Sequence, residues 1–279
     1  MNLDQIIRQD GGRLKDVLGL DVDEARIEVQ CLLQAVLNVN RAYLMTYPER
    51  VLDADVLQRY RELFERRLQG EPVAYLLGER EFFGHAFKVT KDTLIPRPDT
   101  ELLVELALQR ILSQPVRRVL DMGTGSGAIA ISIAHERPEI EVVALDASEA
   151  ALGVAAENAE TLGVRNLRFL KSDWYAAIGS ERFDLIVSNP PYVEENDPHL
   201  RDLSFEPLGA LVSGRDGLDD IRRIVMDALS HLHPGGWLML EHGYDQAARV
   251  RDLLRQEGLL EVSSACDLSG VERVSMGRA

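Results

Sequence analysis

Asn189-Pro190-Pro191-Tyr192 follows Phe183-Asp184-Leu185-Ile186-Val187-Ser188, an apolar run suited to a strand buried inside a parallel sheet. Two consecutive prolines stop strand pairing, because neither has an N–H to donate and each fixes φ near −65°. The result is a rigid ledge beyond the strand's carboxyl end, where open α/β sheets bind ligands. It carries a side-chain amide, backbone carbonyls and an aromatic ring. Asn189 Oδ1 and the Pro190 carbonyl can each accept one N–H of a planar nitrogen group, and Pro191 and Tyr192 can wall it in. A proline-rich turn would read the same way in isolation, so the decision rests on the residues upstream.

Those residues are Val119-Leu120-Asp121-Met122-Gly123-Thr124-Gly125-Ser126-Gly127, followed by the apolar helical pattern of Ala128, Ile129, Ile131, Ile133 and Ala134. Strand, glycine turn and helix start occur in that order, as in a nucleotide-binding loop. The glycines are evenly spaced, whereas a pyrophosphate cradle wants two residues between the second and third. The loop therefore suits an adenosyl ligand whose amino-acid end meets the backbone and carries no phosphate.

The next strand, Val142–Leu145, ends in Asp146, about 20 positions past the loop and placed to accept ribose hydroxyls. Asp146 could instead cap the helix at Glu149–Leu162, although Ser148 is the better cap. A third strand, Leu167–Leu170, leads to Asp173 and Trp174. There a carboxylate can meet an adenine amine and an indole can cover the ring. A lone tryptophan fits a core position equally well. Four strand ends with suitable groups in the right order are harder to attribute to packing alone.

The elements that must position these groups are legible in outline. Residues 1–78 read as helical: Ala25, Val29, Leu32, Leu33, Val36 and Leu37 form one apolar face, and Val56, Leu57, Tyr60, Leu63, Phe64 and Leu68 another. Pro48 marks a break and Asp53 is the expected cap of the second stripe. Glu81–Phe83 and Ala86–Val89 flank Gly84-His85, read as a type II′ hairpin turn with glycine first. Pro96 and Pro98 stiffen Ile95–Pro98 ahead of a helix near Asp99–Leu112. Strands and helices then alternate, with a Pro234-Gly235-Gly236 turn before a strand to Leu240 and a helix near Gln246–Gln256. Two closing strands, from Glu261 and from Val271, form a hairpin.

The chain has 31 Lys and Arg against 46 Asp and Glu, a formal charge of −15, with its basic residues scattered. That balance lowers the expectation of a DNA substrate, since nonspecific DNA grip needs a basic face. No apolar run is long enough for a membrane span and none reads as a signal peptide, so a cytoplasmic protein is expected. Cys31 and Cys266 match no metal or redox motif and are expected to be buried and reduced. The six histidines show no ligand spacing, and no metal is expected.

With these residues in place, the chain resembles the class I S-adenosylmethionine-dependent methyltransferases, and Asn189–Tyr192 resembles the signature of their amino-methylating branch. More closely, it is similar to the release-factor glutamine methyltransferase family (PrmC/HemK). The resemblance rests on Pro72–Gly84, Leu94–Glu101, Phe205-Glu206-Pro207, Asp216-Gly217-Leu218 and Gly243-Tyr244-Asp245-Gln246, in order over the last three-quarters of the chain. It implies an α/β fold with a Rossmann-like, mostly parallel seven-stranded sheet and a small helical domain joined by a β-hairpin. Expected boundaries are 1–78 for a substrate-recognising domain, 79–98 for hairpin and linker, and 99–279 for the methyltransferase domain.

The resemblance also implies S-adenosyl-L-methionine held by Gly123, Thr124, Gly125, Ser126, Gly127, Asp146, Asp173, Trp174 and Asn189. Asn189, Pro190, Pro191 and Tyr192 would hold the acceptor, with Asn189, Pro190 and Tyr192 acting in transfer. That acceptor is the glutamine of a Gly-Gly-Gln loop on peptide chain release factors, methylated at N5. From the tetrapeptide alone, adenine N6 in nucleic acid remains open.

Overall fold

The computed structural model describes residues 1–279, which divide into two compact units, Met1–Glu79 and Arg80–Ala279. The first is helical: α1 (Leu3–Leu18), α2 (Val22–Leu37), α3 (Arg41–Thr46), α4 (Ala54–Leu68) and α5 (Val73–Leu77). Asn2 and Gln5 form a reciprocal capping box at α1, and Asp21 accepts Glu24 N–H at 2.7 Å to start α2. Leu3, Ile6, Leu14, Leu32, Leu33, Tyr60 and Phe64 fill the core, as the two stripes require. Asp53 stands at the N-cap of α4 but makes no side-chain cap bond, so its position was legible and its hydrogen bond was not. A buried carboxylate, Asp10, takes the Tyr60 hydroxyl at 2.8 Å and pairs with Arg61 at 3.0 Å.

The second unit opens with β1 (Glu79–Phe82) and β2 (His85–Lys88). Their turn is Phe83-Gly84, one residue earlier than the sequence reading placed it. Both residues have positive φ, 51° and 77°, which makes the turn type I′ rather than II′. Glu101 accepts the Phe83 N–H at 2.9 Å and thereby holds the unfavourable backbone of a bulky residue.

Then follow α6 (Glu101–Ser113), β3 (Arg118–Met122), α7 (Ala128–Glu136), β4 (Glu141–Asp146), α8 (Glu149–Thr161), β5 (Leu167–Lys171) and β6 (Phe183–Ser188). The chain closes with α9 (Asp219–His231), β7 (Leu232–Glu241), α10 (Ala247–Gln256), β8 (Leu260–Cys266) and β9 (Glu272–Arg278). Seven strands pair in the order β5-β4-β3-β6-β7-β9-β8, with β9 antiparallel to both neighbours. The sheet therefore has one antiparallel strand.

Alternate residues of each central strand enter opposite cores. Val119, Val142, Ala144, Leu185, Val187 and Met239 join α6 and α7. Leu120, Met122, Val143, Leu145, Ile186 and Leu238 join α9 and α10. Pro234-Gly235-Gly236 is no separate turn: it lies inside β7, opposite a register shift between Phe183 and Leu185. Pro234, which has no N–H to donate, falls where the pairing with β6 is already broken. Neither cysteine is buried: Cys31 is half-buried and Cys266 exposed, and no disulfide joins them. No helix is long and apolar enough to cross a membrane.

Gly127, the residue before α7, has φ +83°, and a Cβ there would come within 2.6 Å of Ile131 and 3.1 Å of Ala155. Gly127→Ala is expected to lower folding stability by about 1–2 kcal/mol, the left-handed penalty for an L-residue. Denaturant unfolding checks it; an unchanged midpoint would show that the loop has another conformation.

Candidate active site

Parallel pairing sets Met122 beside Leu145 and Ser188, and Ser188 beside Leu240. One residue further on, Gly123, Asp146, Asn189 and Glu241 stand at the carboxyl ends of four adjacent strands. Strand order reverses between β3 and β6, so this edge is the switch point at which such sheets bind ligands. A cavity of about 400 Å³ lies there, of small-ligand size.

Gly123, Gly125, Asp146, Asp173, Trp174, Asn189 and Pro191 line this cavity. Gly123, Gly125 and Gly127 all have positive φ. Thr124 and Ser126 face inward instead: Thr124 Oγ1 donates to Asp121 at 2.6 Å, and the Ser126 carbonyl takes Asn158 Nδ2 at 2.8 Å. These two shape the loop from behind. Asp146 accepts Gly125 N–H at 2.9 Å and Ser148 N–H at 2.8 Å, while Ser148 itself caps α8. Each Asp146 oxygen keeps a further lone pair for a ribose hydroxyl. Burial pushes the Asp146 pKa up against those backbone bonds.

Trp174 has φ +47° and donates Nε1–H to Asp220 at 3.2 Å, with its indole 3.8 Å from where a Gly123 side chain would begin. The anchored indole thus lies against the Gly123 backbone, and both line the cavity. The Asp173 carboxylate reaches the cavity but is engaged by Arg223 at 2.8 and 2.9 Å. Asn189 Nδ2 donates to Thr100 Oγ1 at 3.1 Å, and Pro190 is buried behind the wall. Tyr192 is not on the cavity wall. Its ring packs against the α9–α10 core and its hydroxyl meets Glu241 at 3.4 Å.

Several contributors escaped the sequence reading. Asp220 and Arg223 come from α9, and Thr93, Leu94 and Pro207 close the near wall. Glu206 binds that wall together, accepting Ile95 N–H at 3.0 Å and pairing with Arg97. The available signal was the polar residue closing each apolar strand: Glu241 follows Leu238-Met239-Leu240 just as Asp146 follows Val143-Ala144-Leu145. The histidines also hold a surprise, because His85, His135 and Glu136 bring their ligand atoms within 4.8 Å of one another. The trio joins β2 to the far end of α7, away from the cavity edge, and a separation of 50 residues in sequence hid it.

The glycine backbone, the carboxylate at the second strand end, the anchored indole and the amide ledge fit S-adenosylmethionine, and with the sheet order they define a class I methyltransferase. Solved structures agree on the fold. A methyltransferase from Pyrococcus furiosus aligns over 77% of this chain and 96% of its own, with TM-score 0.52 at 19% identity. The hMettl16 catalytic domain, solved in complex with a MAT2A 3'UTR hairpin, aligns over 77% of this chain and 81% of its own, with TM-score 0.57 at 17% identity.

Residues 13–78 match the PrmC N-terminal domain and residues 98–202 the methyltransferase small domain. The release factor glutamine methyltransferase of Bordetella pertussis is 51% identical over 267 residues, covering 95% of this chain and 98% of its own. That of Burkholderia pseudomallei is 53% identical, covering 93% and 92%. The chain belongs to the release factor glutamine methyltransferase family.

Two predictions follow from this geometry. Asp146→Ala is expected to weaken S-adenosylmethionine binding by about 1–3 kcal/mol in calorimetry, the worth of lost hydrogen bonds to a charged group; unchanged affinity would remove Asp146 from the ribose site. The second concerns pH. Burial raises the Asp121 pKa from 3.8 to about 7, more than its Thr124 bond lowers it. The native state thus holds a proton that the unfolded chain releases, so this group's support is full below pH 3.8 and lost as pH rises towards about 7. Asp121→Asn should flatten stability over that window relative to wild type; parallel curves would contradict the assignment.

Proposed function

We propose that this protein methylates N5 of the glutamine side chain in the Gly-Gly-Gln motif of peptide chain release factors. The observation that carries the reading is Asn189: its Nδ2 is committed to Thr100, and its Oδ1 accepts nothing within the protein. An open carbonyl oxygen at the rim of an adenosyl-sized cavity suits a primary amide N–H. The Pro190 carbonyl can take the second N–H, since the ledge leaves it unpaired. The names of the relatives support glutamine of a release factor over adenine as the acceptor.

S-adenosylmethionine supplies a methyl group on an electrophilic sulfonium. An amide nitrogen is a weak nucleophile because its lone pair is delocalised, so the residues on the ledge must align it at about 3–3.5 Å from the carbon it attacks. Two carbonyl acceptors fix the nitrogen's orientation and stabilise the positive charge that develops on it. S-adenosylmethionine held by the glycine loop and Asp146 would supply the methyl group and keep the sulfur as leaving group, and the amide N–H made acidic by methylation would give its proton to water. No base is assigned.

A bare amide offers too few contacts to select one glutamine, so specificity draws on binding energy remote from the nitrogen. We assign that role to the helical segment 1–78, with 79–98 as hairpin and linker and 99–279 as the catalytic domain. The protein is assigned to the cytoplasm, where release factors work, with no direct DNA binding.

Incubation with isotopically labelled S-adenosylmethionine and either release factor or duplex DNA, followed by mass spectrometry, tests the substrate. Label on the Gly-Gly-Gln glutamine is expected; label on another residue or on adenine would refute the reading. Asn189→Ala is expected to lower kcat/KM by about a hundredfold, similar to losing one preorganised transition-state hydrogen bond, with the fold and most cofactor affinity kept. Near wild-type turnover would reduce the ledge to a turn.

A further inference from the structure

Behind the ledge lies a buried acid that the transfer step does not touch. Glu241 closes β7 in the same row as Asn189 and is 2% exposed. The Tyr192 hydroxyl points to its Oε1 at 3.4 Å, the Thr100 side chain is its other polar neighbour, and Oε2 has no partner. Burial is the dominant influence on its pKa, which it raises to about 7; Asp99 pushes the same way, and Thr100, Arg273 and Tyr192 oppose. A carboxylate in this position destabilises the fold relative to a well-packed apolar side chain, and no ion pair of its own holds it.

Thr100 explains its presence. The contact of 3.1 Å between Thr100 Oγ1 and the Asn189 side chain is compatible with two arrangements. Either the hydroxyl accepts from Asn189 Nδ2, or it donates to Asn189 Oδ1 with the amide turned over. A hydroxyl has one proton. Where Glu241 is ionised and takes that proton, the oxygen can only accept, Asn189 must offer Nδ2, and Oδ1 is left for the substrate. The turned-over amide would confront the glutamine N–H groups with N–H groups of its own, which bind nothing and repel.

We propose that Glu241 is a positioning residue for methyl transfer, which through the Thr100 hydroxyl sets which end of the Asn189 amide meets the acceptor. The proposal rests on Asn189 being the acceptor-orienting group. Thr100 is held for the task in a tight turn: residues 98–100 form a 3-10 turn just ahead of α6, with Thr100 N–H bonded to the Arg97 carbonyl at 3.1 Å. Tyr192 has a matching part, since its hydroxyl fixes the carboxylate from the other side while its backbone carbonyl takes Gln246 Nε2 at 2.9 Å. The fourth residue of the ledge thus helps orient the first.

The test is a kinetic cycle on the full-length protein, with release factor as acceptor. Glu241→Gln keeps the shape of the side chain but can donate to Thr100, reversing the relay. It is expected to lower kcat about tenfold, the discrimination of one hydrogen bond, with KM for release factor and affinity for S-adenosylmethionine unchanged. Thr100→Val, which removes the hydroxyl without changing volume, should lose a similar factor, and Thr100→Ser should recover most of it.

The double variant Glu241→Gln with Thr100→Val should be no slower than Thr100→Val alone, because the relay is already cut. Independent, multiplying losses, or a Glu241→Gln enzyme with wild-type kcat, would overturn the relay. Thermal unfolding is run on every variant; a destabilised Glu241→Gln leaves the Thr100 pair to decide. An active Asn189→Ala would instead remove the reading on which the proposal stands, so the two failures are distinguishable.

Discussion

The common level at which the central strands end is the constraint on which the site depends. Met122, Leu145, Ser188 and Leu240 are fixed side by side by backbone pairing, so the next residue of each strand joins a row outside the sheet. A slip of one residue in any strand would turn its apolar set to the wrong core, which makes the register expensive to change. Burial on both faces therefore positions Gly123, Asp146, Asn189 and Glu241 before any ligand is present. The chemistry of the site is attached to the most tightly specified feature of the fold.

A second layer of polar contacts holds the loops that leave this row. Asn158 accepts Lys88 N–H at 2.7 Å and donates to the carbonyls of Lys88 and Ser126, joining the hairpin to the glycine loop. Glu206 fastens the segment around Arg97, and Asp220 takes both the Trp174 indole and the Ser213 hydroxyl, the latter at 2.8 Å. Each of these groups is wholly or largely buried and hydrogen-bonded on both sides, where a missing partner would cost more than the bond contributes. Asp121 and Glu241 are the costly members, each with one oxygen unsatisfied. Both stand at strand ends next to functional loops, where natural folds give up stability for geometry.

Much of this was legible in the sequence because it is periodic or local. Alternating and continuous apolar runs marked the strands, glycine spacing marked the loop, and paired prolines marked the ledge. Ser148 was readable as a cap because capping is a three-residue affair. What escaped depends on the third dimension. The hairpin turn at Phe83-Gly84 looked like Gly84-His85, since the Glu101 bond that lets Phe83 adopt positive φ comes from 18 residues away. The anchoring of Trp174 by Asp220, the pairing of Asp173 with Arg223 and the approach of His85 to His135 all join residues about 46 to 50 positions apart. Tyr192 was read as a wall for the substrate because ring and ledge are adjacent in sequence. Its hydroxyl finds Glu241 because β6 and β7 are adjacent in space.

The central claim is that a glutamine amide is oriented by Asn189 Oδ1 and the Pro190 carbonyl at the rim of the cofactor cavity. A crystal structure with S-adenosylhomocysteine and a peptide carrying the Gly-Gly-Gln sequence tests it most directly. The account predicts the side-chain amide nitrogen within about 3 Å of both carbonyl oxygens, with Asn189 Nδ2 still on Thr100. A glutamine bound elsewhere, or one whose amide meets neither oxygen, would contradict it.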